Sequence, residues 1–145
     1  MSGVKKSERG ESRLEAVHQA YKIRKMITNE LLTDFAVKDG EMPAWLIAEE
    51  RRRVLSLCQG ISLHLRAANT IWPDYMAEFT ERRLQMDKAM ECCNGLQDEL
   101  QAIVIAVPAN KNRYTQICLE IDKECNMIRK MRQKVNRFLK TLKDK

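Results

Sequence analysis

Residues 43–73, PAWLIAEERRRVLSLCQGISLHLRAANTIWP, decide how the chain is read. Pro43 suits the first turn of a helix, where its missing amide would have had no partner anyway. Pro73 ends the run, because it steers the residue before it away from helical torsions. Between them Val54, Cys58, Ile61, Leu65, Ala68 and Trp72 recur at alternating steps of four and three. That is a heptad seam, one apolar stripe along a helix that packs on neighbours. A helix over 43–72 is expected, and the rest of the chain follows the same grammar.

Upstream, Ser12 and Glu15 form the sequence pattern of a capping box. Val17, Tyr21, Ile27, Leu31 and Phe35 then supply an apolar face, and Asp39-Gly40 offers a left-handed cap. These signals predict a first helix over 12–37, preceded by a polar, flexible segment 1–11. Downstream, Asp74 reads as the N-cap of a third helix over 75–107. Its seam is Phe79, Met86, Met90, Cys93, Leu100, Val104 and Val107, with Arg83 and Gln97 at intervening seam positions. Ala89, Leu96 and Ile103 widen that face. Pro108-Ala109-Asn110 breaks the chain. A fourth helix over 110–143 carries Tyr114, Ile117, Ile121, Cys125, Ile128, Val135, Phe138 and Leu142, with Arg132 standing where a core residue is expected.

Helices of this size are about 38–50 Å long. Short connections between long helices make neighbours antiparallel. The expected fold is therefore all-α, an antiparallel up-down-up-down four-helix bundle filling 12–145. Composition agrees: five Gly, three Pro and 6% aromatic residues in 145 are too few for a sandwich or barrel with its frequent turns. No apolar run is long enough to span a membrane, and residues 1–13 lack the apolar centre of a secretory signal. The expectation is a cytoplasmic protein without a membrane partner.

The net charge of +6 is unevenly placed. Residues 74–109 hold 3 basic and 7 acidic residues, whereas 110–145 hold 11 basic and 4 acidic. The stretch 129–145, RKMRQKVNRFLKTLKDK, contains eight Lys or Arg and one Asp. Cations near a helix C-terminus are favoured by its dipole. That accounts for two or three of them. The remainder point to a polyanion, bound by counterion release with little sequence readout; an acidic protein surface, such as the third helix of another copy, is the alternative. The candidate nucleic-acid contacts are Arg129, Lys130, Arg132, Lys134, Arg137, Lys140 and Lys143, joined by Arg52 and Arg53 of the Arg51–Arg53 triplet. Pairing with Glu49 and Glu50 is the competing use of that triplet. Only Phe138 lies among the basic residues, so shape and phosphate contacts are expected rather than base stacking. RNA and DNA are not distinguished. Arg82, Arg83 and Arg132 are candidates for an oligomer interface, since a seam arginine needs a carboxylate or a subunit boundary.

Catalytic marks are missing. There is no Gly-rich phosphate loop, no Gly-x-Ser-x-Gly and no repeated Glu-x-x-His. No enzyme activity, no catalytic residue and no cofactor are expected. The five cysteines include no Cys-x-x-Cys pair. Cys58, Cys93, Cys118 and Cys125 fall on apolar stripes and read as small buried hydrophobes. A reactive thiol, with Cys92 the most exposed, and a metal site assembled from three helices are the other readings, and no metal is expected. His64 stands at the edge of the second helix's apolar face.

Residues 81–138, ERRLQMDKAMECCNGLQDELQAIVIAVPANKNRYTQICLEIDKECNMIRKMRQKVNRF, resemble the second half of a family of small bacterial four-helix-bundle proteins. The family includes proteins encoded by intervening sequences in 23S rRNA genes and Avd, the accessory variability determinant of diversity-generating retroelements. The shared features are the Arg-rich start of the third helix, the break before Tyr114, the Glu120/Glu124 region and the basic tail. AANTIWPDYMAEFTERR, just upstream, is similar to the family's passage from helix two to helix three. Cys125 to Lys130 departs from the Gly-Arg-Met-Leu-x-Gly-Trp-like run of many members. The resemblance implies a homo-oligomer, typically a pentamer, without catalysis of its own. It also implies association with a reverse transcriptase and binding of template RNA or DNA, in support of cDNA synthesis during mutagenic retrohoming.

Overall fold

The computed structural model describes residues 14–30, 44–106 and 111–143. Among them there are four α-helices and no strand: α1 (14–30), α2 (Ala44–Thr70), α3 (Met76–Ala106) and α4 (Lys111–Val135). A 3-10 helix, Asn136–Lys140, continues α4. The expected segment 1–11, the Ser12 cap, the end of the first helix with Leu31, Phe35 and Gly40, Pro43, Val107 and the break at Pro108 to Asn110 lie outside the described residues.

All four helices feed one core. The seam of α2 is buried as its spacing predicts, at Val54, Cys58, Ile61, Leu65 and Ala68. Each large aliphatic side chain so buried contributes about 1.5–3 kcal/mol. Trp72 does not continue the stripe. Helix α2 stops at Thr70, two residues short of the expected end, and Trp72 stays 57% exposed. In α1 the core residues are Ala16, Val17, Ala20, Ile23 and Ile27, while Tyr21, expected inside, is exposed and accepts a 2.8 Å hydrogen bond from Arg66 Nε. The aromatic ring thus lies at the edge of the bundle, its hydroxyl held by α2.

Helix α3 corrects the expected register. Phe79, Arg82, Met86, Ala89, Cys93, Leu96, Leu100 and Ile103 are buried. Alternate seam positions therefore lie one residue earlier than Arg83, Met90, Gln97 and Val104. The arginine in the seam is Arg82, at 5% exposure, and Arg83 is only half-buried. Its polar head is not stranded: Arg82 Nη1 donates to the Ile71 carbonyl at 2.7 Å. A cation is thereby placed on a backbone carbonyl just beyond the end of α2, where it also complements the helix dipole.

The start of α3 is a reach-back cap. Glu78 Oε1 accepts from the backbone amides of Asp74 and Tyr75, each at 3.0 Å. The Tyr75 carbonyl accepts the first helical bonds, so Tyr75 rather than Asp74 is the N-cap and Glu78 stands at the third helical position. Helices α2 and α3 approach closely at two glycines. A Cβ on Gly60 would lie 2.6 Å from Cys92 Sγ, and one on Gly95 would lie 3.3 Å from Leu57 Cδ2.

Helix α4 also ends earlier than expected, at Val135 instead of 143. The 3-10 turn keeps Phe138 in the core, and Leu142 is half-buried against it. Continuation as α-helix loses to partners on the α2–α3 junction: the Phe138 ring meets Trp72 edge-on at 4.9 Å, and the Lys143 amide donates to the Asp74 carbonyl at 2.7 Å. Arg132, expected at a core position, is exposed; Met131 fills the core instead.

Candidate nucleic-acid interface

The basic residues of the tail lie on the outside of α4 and its 3-10 extension. Arg129, Lys130, Arg132, Lys134, Arg137, Lys140 and Lys143 are all exposed. Their spacing explains this, since the core positions Ile128, Met131, Val135 and Phe138 occupy the inward side. Arg129, Arg132 and Lys134 are engaged. Arg132 Nε pairs with Asp87 Oδ1 at 3.0 Å, and Arg129 Nη1 donates to Asn126 Oδ1. Lys130, Arg137, Lys140 and Lys143 make no ion pair with any described residue. The Arg137 guanidinium instead lies 5.5 Å from the Phe138 ring centroid.

Arg52 and Arg53 are placed differently. Arg52 pairs with Glu49. Arg53 Nη1 donates to Glu50 Oε2 at 3.2 Å and to Glu99 Oε1 of α3 at 3.0 Å. Burial pushes the Glu50 carboxyl up to about 7, its hydrogen bond with Glu99 adds to this, and Arg53 opposes it. The same shared hydrogen bond, then Arg53, hold Glu99 below the usual carboxylate range. This cluster neutralises itself and sits about 25 Å along α2 from the tail. The structure thus gathers Arg137, Lys140 and Lys143 at the α2–α3 junction, with Lys130 and Arg129 further along α4, and leaves Arg52 and Arg53 apart from them. Of the three arginines expected at an oligomer interface, Arg82 is enclosed in its own chain, whereas Arg83 and Arg132 reach the surface.

Sequence reasoning missed what stands beside the tail. Trp72 and the half-exposed Tyr75 come from the α2–α3 junction, remote in sequence, and border the basic 3-10 turn. The guanidinium of Arg82 lies 5.5 Å from the centroid of Phe138, the ring that Trp72 meets edge-on, and backs it from within.

The other missed group is Glu124 of α4. It is 0% exposed, and neither carboxylate oxygen has a hydrogen-bond partner among the described residues. Burial pushes it up to about 8, with the neighbouring Cys125 adding to the shift, so the fold favours its protonated form. Its steps of three and four from Ile121 and Ile128 are the signal that could have placed it on the inward face. Cys58, Cys93 and Cys125 are buried, and Cys118 is half-buried. Cys93 hydrogen-bonds Cys125 across the α3–α4 contact; this draws Cys125 down to about 7 and raises Cys93. Cys92 is half-buried against Gly60, and burial raises its thiol, which opposes the reactive role considered for it. His64 Nδ1 lies 2.8 Å from Gln85 Oε1, half-buried at the helix boundary. Among the described residues no group of three His, Cys, Asp or Glu is arranged to hold a metal ion, and no helix is long and apolar enough to cross a membrane.

No family model matches this chain, and neither a curated protein nor a solved structure does.

Proposed function

We propose that this protein is a non-catalytic, nucleic-acid-binding accessory protein that associates with the reverse transcriptase of a diversity-generating retroelement. In this reading it supports template-RNA-directed cDNA synthesis in mutagenic retrohoming. It works in the cytoplasm as a homo-oligomer, a pentamer on the strength of the sequence resemblance. Its helices form an antiparallel up-down-up-down bundle. Support for that arrangement is the opposed numbering of contacts: Leu57 with Gly95, Gly60 with Cys92 and His64 with Gln85 between α2 and α3, then Asp87 with Arg132 and Gln97 with Asp122 between α3 and α4.

The observation that carries the function is the set of cations at Lys130, Arg137, Lys140 and Lys143, which have no ion pair among the described residues. Four such exposed charges repel one another and are stabilised by a polyanion, whose counterions they release. Fluorescence anisotropy with labelled RNA and DNA, across a salt series, tests this. Affinity is expected to fall steeply with salt and to be lost on reversing Arg129, Arg137 and Lys140 to Glu. Binding insensitive to both treatments overturns the proposal. Capture of a protein partner that survives nuclease and needs the same cations then supports the rival, in which the basic end docks on an acidic protein.

A further inference from the structure

We infer that the end of the molecule formed by Trp72, Tyr75 and the 3-10 turn is a site for single-stranded nucleic acid, with unpaired bases stacking on Trp72 and the backbone following Arg137, Lys140 and Lys143. The inference rests on the nucleic-acid reading above and adds the ligand's strandedness and the residues that select it.

The sequence places a single aromatic residue among the basic ones, and the fold encloses it: Phe138 is buried. Folding brings in two others. Trp72 is 57% exposed and Tyr75 is 40% exposed. The position of Trp72 is fixed. Its ring meets Phe138 edge-on, at 4.9 Å and 83°. Phe138 is in turn flanked by Arg82 and Arg137, each with its guanidinium 5.5 Å from the ring centroid. The chain on either side is anchored by Arg82 on the Ile71 carbonyl and by Lys143 on the Asp74 carbonyl. An aromatic side chain held this way presents a surface with little rotamer freedom left to lose on binding.

The chemistry of the neighbourhood names the occupant. Lys140, Lys143 and Arg137 are exposed and without ion pairs among the described residues. Of the nearby acids, Asp74 is exposed between Trp72 and Tyr75, Glu78 has an oxygen committed to the amides of Asp74 and Tyr75, and Glu81 accepts from Gln85; none of the three forms an ion pair with Arg137, Lys140 or Lys143. A positive track alone suits any phosphate backbone. A positive track beside an exposed indole suits a strand whose bases are free, because a duplex keeps its base faces stacked inside. The other tryptophan, Trp45, is more exposed, at 70%, but belongs to the first turn of α2, away from the tail, and serves as the internal control.

The test uses the full chain with a labelled single-stranded oligopyrimidine, as RNA and as DNA, and a duplex of the same length. Trp72→Leu keeps an apolar side chain on Phe138 and removes the indole. It is expected to weaken single-strand binding about 10-fold to 100-fold and to leave duplex binding within about two-fold, with Trp72→Phe intermediate and Trp45→Leu silent. In a Trp45→Phe protein, the fluorescence of Trp72 is expected to be quenched on adding the strand; this readout holds even if Trp72→Leu folds poorly. Unchanged single-strand affinity in Trp72→Leu, or no quenching of Trp72, while charge reversal of the tail still abolishes binding, overturns this inference and leaves the nucleic-acid function standing. Absence of binding by the unaltered protein to all of the oligonucleotides overturns both.

Discussion

Two basic clusters flank the α2–α3 pair, one at the Arg51–Arg53 triplet and one at the tail beside Trp72, and they differ in what answers their charge. Arg52 and Arg53 are met by Glu49, Glu50 and Glu99 within ion-pair distance. Lys130, Arg137, Lys140 and Lys143 are met by nothing acidic among the described residues. Both clusters look alike as strings of letters. What separates them is the reach of the carboxylates on α3: Glu99 answers the triplet, whereas Asp87 answers only Arg132 of the tail. A basic run thus marks an interaction site only once its tertiary partners are known, and the useful quantity is uncompensated charge rather than charge.

The largest expected effect tests that distinction directly. Reversing Lys130, Arg137 and Lys140 together is expected to lower nucleic-acid affinity on the order of a thousand-fold at low salt and to flatten the slope of affinity against salt. Reversing Arg52 and Arg53 is expected to change affinity by less than about three-fold. Equal losses from the two sets, measured by anisotropy, would break the contrast.

Glu124 shows the other outcome for an acid that nothing answers: burial holds it protonated. In the unfolded chain it ionises near 4.5; in the fold burial moves this to about 8. Between those values the folded state keeps a proton that the unfolded state has lost, so stability declines as pH rises through the window and levels off above it. Glu124→Met is therefore expected to stabilise the protein by a few kcal/mol near pH 8, with the gain shrinking toward pH 4.5. Chemical denaturation at several pH values checks it, and a gain independent of pH would show that Glu124 is not the titrating group.

The close α2–α3 contact is the frame that keeps the two clusters apart. Gly60→Ala puts a methyl 2.6 Å from Cys92 Sγ and is expected to cost about 1–2 kcal/mol despite the better helix propensity of alanine. Adding Cys92→Ala should recover that loss, because the clash leaves and the propensity gain remains. The smallest effect belongs to the compensated cluster itself. Arg53→Met is expected to cost less than about 1 kcal/mol, since the pair is half-exposed. It should also move the Glu50 titration further above about 7, because Arg53 is the group that lowers it. A carbon-detected NMR titration of the carboxyl groups would follow that shift.

Much of the helical pattern was legible because it is local. The α2 stripe from Val54 to Ala68 was read residue for residue, and so were most core positions of α4. The failures fall where a tertiary contact outweighs the local spacing. Arg82 was passed over for Arg83, although the step from Phe79 to Met86 admits either, and the choice depended on a carbonyl at the end of α2. Glu124 was invisible as a core residue, since a carboxylate is normally exposed and only the finished packing shows this one enclosed. The site was half legible. Its cations are contiguous in sequence, but the aromatic partners Trp72 and Tyr75 join them only through the return of the tail to the α2–α3 junction.

The change from α to 3-10 winding at Asn136 alters the geometry of recognition. In an α-helix residues three apart are offset by about 60° around the axis. In a 3-10 helix they eclipse, with about 6 Å between them along the axis. Arg137 and Lys140 fall in that relation. The tighter winding converts what would be a splayed pair of cations into a short straight rail, parallel to the axis, whose direction is set by the backbone rather than by the flexible side chains it carries.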